Sequence, residues 1–412
     1  MRLIRNRNFL IMWIGQLATI FGNRFSEIAI PLIVLQFTGS PWQAALVVVC
    51  SQIIPLILAL PVGSWVETRS KKNIAMMAEI VSFLTMSLLV VFVWLELLNM
   101  WVLAAGLLIM GATGLFYRVS FGAMVPMVVG RKNLVSAHSY FEGADAISTF
   151  LGPVMAGVVL STLGVAAVLS VDAMTYFISF LGIAFLSVKE SRKREETKTK
   201  TTYLSSFQDI SYLFANGYQR FVSFNQCILS FCTTAVTLTV IVYTSQTLSL
   251  SEWQTGLVLS SAGAGNMIGV FLLHRVKDFS WNNLYAVLML VSGVGLFLIL
   301  LTGYLPLIML GMFIFDGALS MAFVVNGSAR QSITPDHFLA RIGGGAILIS
   351  GIVAISGNLF SGGVSELLMP QAIIAFCGFL LLVASLVSLL FKQGNKRIQE
   401  LVPIELEESL TK

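Results

Sequence analysis

The chain has 412 residues, of which 57% are hydrophobic and 11% charged, with 25 Lys and Arg against 20 Asp and Glu for a net charge of +5 and a mean hydropathy of +0.87. Soluble domains carry roughly 25% charged residues, so this composition excludes a soluble globule. No basic stripe lies on a folded soluble module, so nucleic acid is excluded as a partner.

Apolar runs of roughly 18 or more residues recur along the chain, each long enough to cross a bilayer as a helix. In chain order they predict twelve spans, at 9–37, 43–66, 73–95, 101–125, 136–160, 165–187, 221–247, 254–273, 282–303, 306–328, 341–364 and 370–391. The first follows Arg2, Arg5 and Arg7, exceeds a signal-peptide core and lacks a small-residue cleavage site, so it is expected to remain as an anchor. Lys and Arg occupy alternate connections: the N-terminus, 67–72, Arg131 and Lys132, 189–200, Arg220, Arg275 and Lys277, Arg330 and Arg341, and the tail from Lys392. The intervening connections contain neither, and the positive-inside rule then puts both termini in the cytoplasm, in agreement with the even span count.

The stretch 188–220, with SRKREETKTKTT, reads as a solvated linker that also suits contact with anionic lipid. The expected organisation is a six-helix half at 1–187, the linker at 188–220, a second six-helix half at 221–392 and a tail at 393–412. The four cysteines fall inside apolar runs without metal-ligand spacing, so they read as small core residues and no metal is expected. Sliding the second half by 206 residues matches Gly63, Arg69 and Lys71 to Gly269, Arg275 and Lys277; sliding by 205 matches GPVMAG (152–157) to GNLFSG (357–362). Two matches at nearly one offset suggest duplicated halves, an arrangement that places a substrate site at mid-membrane between them.

The stretch GSWVETRSKK at 63–72 resembles the signature between helices 2 and 3 of the major facilitator superfamily. Gly63, Glu67, Lys71 and Lys72 fill its glycine, acid and basic pair; Thr68 replaces the usual arginine, with Arg69 one place later, and Ser70 replaces a glycine. GPVMAG resembles the exporter-associated motif of helix 5 through Gly152, Pro153 and Gly157. Arg118 and Gly122 keep part of the helix 4 motif, with Phe121 where glutamine is usual. KKNIAMMAEI, SVDAMTYFISF and QSITPDHFLARIGG are similar to the macrolide-efflux and enterobactin-exporter group. The resemblance implies an all-α integral membrane protein of twelve transmembrane helices in two six-helix halves related by a pseudo-two-fold. It implies a secondary active exporter in the bacterial plasma (inner) membrane, working as a monomer with a small-molecule substrate, protons and the bilayer as partners.

At the hinge, Gly63 is expected to let helix 2 approach a neighbouring backbone. Glu67 is expected to accept from the N-terminal end of helix 11, near Arg341 and the glycines at 343–345, when the cytoplasmic side is closed. The alternative is that these charges only obey the positive-inside rule, which accounts for Lys71 and Lys72 but not for Glu67.

Charges inside spans cost at least about 2.5–3.5 kcal/mol at a helix centre unless paired or hydrated. Arg24, Glu27, Glu79, Arg118, Glu142, Asp145, Asp172 and Asp316 are therefore expected to face the protein interior or water. Glu79 and Asp172 read as structural. No P-loop is present, so the expected energy source is the proton gradient, with no cofactor, carried by an intramembrane carboxylate. Glu27 is the leading carrier; a structural pair with Arg24 three residues away, or direct substrate contact, are the alternatives. Counting outward from Lys132 puts Arg118 and Asp145 at similar depth on antiparallel helices, so Arg118 is expected to engage Asp145, or else Glu142; in the alternative it snorkels to cytoplasmic water.

Trp13, Tyr117, Phe121, Tyr140, Tyr243 and Phe315 are candidate walls of an aromatic cavity suited to a bulky amphipathic or cationic compound, a macrolide-like drug first and a siderophore second. An intramembrane enzyme is disfavoured, since Gly143-Ala-Asp145 lacks the glycine and partner motif of an aspartyl-protease loop and no HExxH is present. No signalling domain supports a receptor.

Overall fold

The computed structural model describes residues 3–130, 133–187, 213–214, 216–276, 279–301, 303–335, 339–391, 396–397, 400–401 and 403. The expected linker therefore lies largely outside the described residues, as do Arg131, Lys132, Asp336 and His337 and the side chains of Glu67 and Arg341.

Among the described residues the chain forms eleven long helices: α1 (Arg7–Thr38), α2 (Pro41–Glu67), α3 (Lys71–Trp94), α4 (Met100–Val129), α5 (Leu134–Phe185), α6 (Gly217–Val242), α7 (Glu252–Val276), α8 (Trp281–Leu301), α9 (Leu305–Ile333), α10 (Leu339–Leu367) and α11 (Pro370–Leu390). A five-residue π turn at Tyr243–Thr247 extends α6. All eleven are long and apolar enough to cross a membrane, and α5 is long enough to do so twice. Its two arms meet at Gly164, whose φ of 78° and ψ of −176° suit only a residue without a Cβ. Spans 5 and 6 are thus joined by a one-residue break at the expected place, and twelve spans are accounted for.

Helix starts follow the sequence closely because polar N-caps precede the apolar runs. Asn6, Ser40, Ser70, Asn99 and Asn216 each accept from backbone N–H groups of the first turn.

The chain divides into two compact units, residues 1–199 with 250–260 and residues 200–249 with 261–412. In the first, α1 packs along α5, α3 packs between α4 and α5, and α2 lies on α4. The α2–α4 approach is carried by Gly111, where a Cβ would fall on the Ser51 carbonyl. Gly63 does not have the role expected of it: no described atom lies within 4 Å of a methyl built there. The close backbone contact of helix 2 is set from the facing helix instead. The first turns of α7 cross α5 within this unit. Gly157 faces the Glu252 carbonyl and Gly256 faces the Pro153 carbonyl, so Gly157 of GPVMAG and Gly256 of α7 together form a backbone-to-backbone crossing. The Val154 amide also donates to Ser260 Oγ at 3.0 Å.

In the second unit, α6 packs on α9, α10 and α11, and α8 packs on α9 and α11. Gly269, the repeat partner of Gly63, lies against the Gly317 carbonyl, and Gly265 against that of Phe313. The tail returns to this unit, where the Trp281 amide donates to the Lys396 carbonyl at 3.0 Å.

Candidate functional site

The charged residues of span 1 are drawn into one constellation by the packing of α1 on α5. Arg24 and Glu27 are one turn apart on α1, and Arg24 Nη1 donates to Glu27 Oε2 at 2.8 Å. Its other terminal nitrogen, Nη2, donates to Asp145 Oδ1 at 3.2 Å, on the first arm of α5. One guanidinium therefore holds two carboxylates. The glycine of the helix 5 motif makes this possible: a Cβ at Gly152, seven residues after Asp145, would lie 2.7 Å from Arg24 Cβ. The side chains of Arg24, Glu27 and Asp145 retain 30%, 58% and 46% exposure, so the protein's own atoms do not close over the triad.

This geometry corrects the expected Arg118–Asp145 pair. Asp145 engages Arg24, while Arg118 is exposed on α4 and forms no salt bridge among the described residues. Glu142 is also exposed and outside any such bridge, and Asp316 lies half-buried on α9. α4 and the first arm of α5 are consecutive, yet α4 packs mainly on α2 and α3, so equal depth did not imply facing side chains.

Behind the triad, α1 turns a polar strip toward the second arm of α5. Ser26 Oγ donates to Asp172 Oδ2, Thr175 Oγ1 donates to the Asp172 carbonyl at 2.7 Å, and Tyr176 OH donates to Asn23 Oδ1 at 2.6 Å. Asp172 is fully buried. Gly22 provides the room, since a Cβ there would collide with Asp172 and Thr175. Glu79 of α3 is 2% exposed, with the hydroxyls of Ser179 and Thr19 as its polar neighbours. Reading the sequence by charge alone found Asp172 and Glu79 but not Asn23, Ser26 or Tyr176; the i and i+3 spacing of Asn23 and Ser26 on α1 was the available signal.

The aromatic candidates occupy other places. Tyr117 and Phe121, each 8% exposed, belong to a packed cluster with Phe9, Met12 and Met124, and Tyr117 OH donates to Gln16 Oε1 at 2.8 Å. Trp13 donates to the Tyr140 carbonyl at 2.9 Å and stacks edge-on against its ring. The cavity beside Tyr117 and Phe121 measures about 10 Å³, room for about one water and no drug. Tyr243 and Phe315 are 4% and 1% exposed in the second unit. Tyr117, Phe121, Tyr243 and Phe315 are thus buried in this structure, while Trp13 and Tyr140 are half-buried against the Phe9 cluster.

At the hinge, Arg69 lies over the Trp65 ring with its Cζ 4.5 Å from the centroid. Lys72 Nζ donates to the carbonyls of Ala184 and Leu186 at 2.9 and 2.7 Å, closing the C-terminal end of α5 with a cation where the helix dipole favours one. Lys72→Met is expected to lower stability by about 1 kcal/mol or less, read as a small fall in the thermal midpoint of the purified protein.

The sequence profile of the Major Facilitator Superfamily matches residues 12–344. The enterobactin exporter EntS of Citrobacter koseri is 22% identical over 393 residues, covering 92% of this chain and 90% of that protein. The multidrug efflux pump Tap of Mycolicibacterium fortuitum is 25% identical over 41% of this chain and 42% of its own length. Macrolide efflux protein A of Streptococcus pyogenes is 19% identical over 46% of this chain and 47% of its own. Among solved structures, a bacterial homologue of the iron transporter ferroportin in its inward-facing state aligns with a TM-score of 0.67 at 16% identity, covering 96% of this chain and all of that one. The nucleoside transporter NupG aligns with a TM-score of 0.72 at 14% identity over 93% of this chain and 99% of its own. A profile match over most of the chain, on twelve spans with the same fold, means that the chain belongs to the Major Facilitator Superfamily of multi-pass membrane transporters.

Proposed function

We propose that the protein is a proton-coupled exporter of bulky amphipathic compounds, macrolide-like in size and character, that works by alternating access in the bacterial inner membrane with both termini cytoplasmic. The observation that carries this reading is the Arg24–Glu27–Asp145 triad, an incompletely covered group of one base and two acids within spans 1 and 5. With both acids ionised the triad carries a net charge of −1; one proton, or one cationic substrate group, neutralises it. Proton and cation thus compete for the same carboxylates, which is the exchange an antiporter needs. The driving force is adequate, since each charge crossing 100 mV contributes about 2.3 kcal/mol.

Efflux of erythromycin from proteoliposomes, with and without an imposed pH gradient, tests the reading. Gradient-driven efflux is expected from the unaltered protein and not from Glu27→Gln or Asp145→Asn. Equal rates with and without the gradient would remove proton coupling. A second reading, export of a siderophore, is favoured by one observation: similarity to the enterobactin exporter extends over 92% of this chain, against less than half for the drug pumps. Enterobactin in place of erythromycin in the same assay separates the two.

A further inference from the structure

The second unit contains an intramembrane base that this coupling does not use. Arg330 lies one turn before the end of α9, and its Nε is buried without a hydrogen-bond partner. The guanidinium forms no salt bridge among the described residues. Ala329, the residue before it, belongs to a buried cluster with Phe221 of α6 and Trp281 of α8, and Phe221 packs in turn against Tyr285 of α8, whose phenol and the Cys227 thiol of α6 lie within electrostatic range of the guanidinium. Tyr285 is fully buried, packs against Phe221, and its hydroxyl is likewise without a partner. One turn earlier on the same face of α9, Asn326 donates from Nδ2 to Gln226 Oε1 at 2.8 Å.

An arginine that snorkels keeps its guanidinium in water and needs no partner. Here the inner edge of the guanidinium faces protein, beside a phenol whose proton is unspent, and a charge so placed is costly unless something opposite in sign meets it. Arginine and tyrosine together supply several N–H donors and one O–H donor, a set matched by the two or three oxygens of a carboxylate or phosphate. Asn326 spends one Nδ2 hydrogen on Gln226 and fixes the preceding turn, so the unspent donors are those of Arg330 and Tyr285.

We propose that Arg330 and Tyr285 form an anion-binding site for a carboxylate or phosphate group, the ionised end of an amphiphile that reaches it between α6, α8 and α9. The proposal concerns binding and holds whether or not the chain couples export to protons. Two sources carry this chemistry, a lipid headgroup and a dissolved compound. The full-length protein in a non-ionic detergent, titrated separately with phosphatidylglycerol, decanoate and inorganic phosphate, distinguishes them by the rise in thermal midpoint. Phosphatidylglycerol alone raising the midpoint assigns the site to lipid; decanoate or phosphate raising it assigns the site to a dissolved anion. Tyr285→Phe keeps the ring and is expected to weaken the active probe roughly tenfold, the effect of losing one hydrogen bond to a charged group. Arg330→Gln is expected to abolish the shift while Arg24→Gln leaves it in place. If Arg330→Gln does not fold, Tyr285→Phe and Arg330→Lys carry the test, and both must weaken the probe. No shift with any probe, or the same shift in the variants as in the parent, overturns the site.

Discussion

Arg24→Ala is expected to reduce gradient-driven efflux at least tenfold while leaving the protein folded and in the membrane. The guanidinium is the shared counter-charge of Glu27 and Asp145, reaching one through Nη1 and the other through Nη2. Its removal leaves two acids within spans, each of which costs at least about 2.5–3.5 kcal/mol when unpaired at a helix centre. Their 58% and 46% exposure allows water to share that cost, so function rather than folding takes the loss. Arg24→Lys is expected to recover only part of the activity, since a single ammonium lacks the fork that spans two carboxylates on different helices. Exchanging the α1–α5 pair as Arg24→Asp with Asp145→Arg is expected to transport better than either single variant, because the interhelical attraction is restored with reversed sign. Proteoliposome efflux at a fixed pH gradient reads all five variants; Arg24→Ala transporting at the parental rate would sink the assignment of the triad.

The triad also marks the limit of what residues along a chain disclose. The positions of the spans were legible because each is a long apolar run, and five of them begin at a polar side-chain cap, features that act locally. The Arg24–Glu27 contact was legible for the same reason, a spacing of three on one helix. Asp145 was legible as a charge out of place, but its partner was not. A count through the loop at Lys132 brings Arg118 to the depth of Asp145, yet depth says nothing about which faces meet, and α5 turns its Asp145 face to α1 because Gly152 lets Arg24 approach there. The aromatic candidates were ambiguous for a related reason: Tyr117 and Phe121 are spaced one turn apart, and that spacing serves packing against Phe9 and Met124 as well as it would serve a cavity wall. In the second unit Arg330 read as one more base at a helix end, and only tertiary packing buries its Nε.

Two glycines of recognised motifs are expected to respond to substitution with opposite signs. Gly157 lies where α5 crosses the start of α7, and an added Cβ would fall on the Glu252 carbonyl, a backbone atom with no rotamer to yield. The two helices must separate to admit a side chain, and because Gly256 abuts the Pro153 carbonyl in the same crossing, the displacement is opposed on both sides. Gly157→Leu is therefore expected to destabilise the protein by about 1–3 kcal/mol, lowering the thermal midpoint by roughly 2–10 °C for a unit of about 200 residues. Gly63, the first residue of the hinge signature, has open space where its Cβ would stand. Gly63→Ala exchanges a poor helix former for the best one inside α2 and is expected to stabilise that helix by up to about 1 kcal/mol. Thermal unfolding of both variants in one detergent decides the matter. A fall at Gly63 as large as that at Gly157 would mean that the hinge glycine meets a backbone after all, whereas a rise at Gly63 beside a fall at Gly157 assigns the close approach to the helix 5 motif.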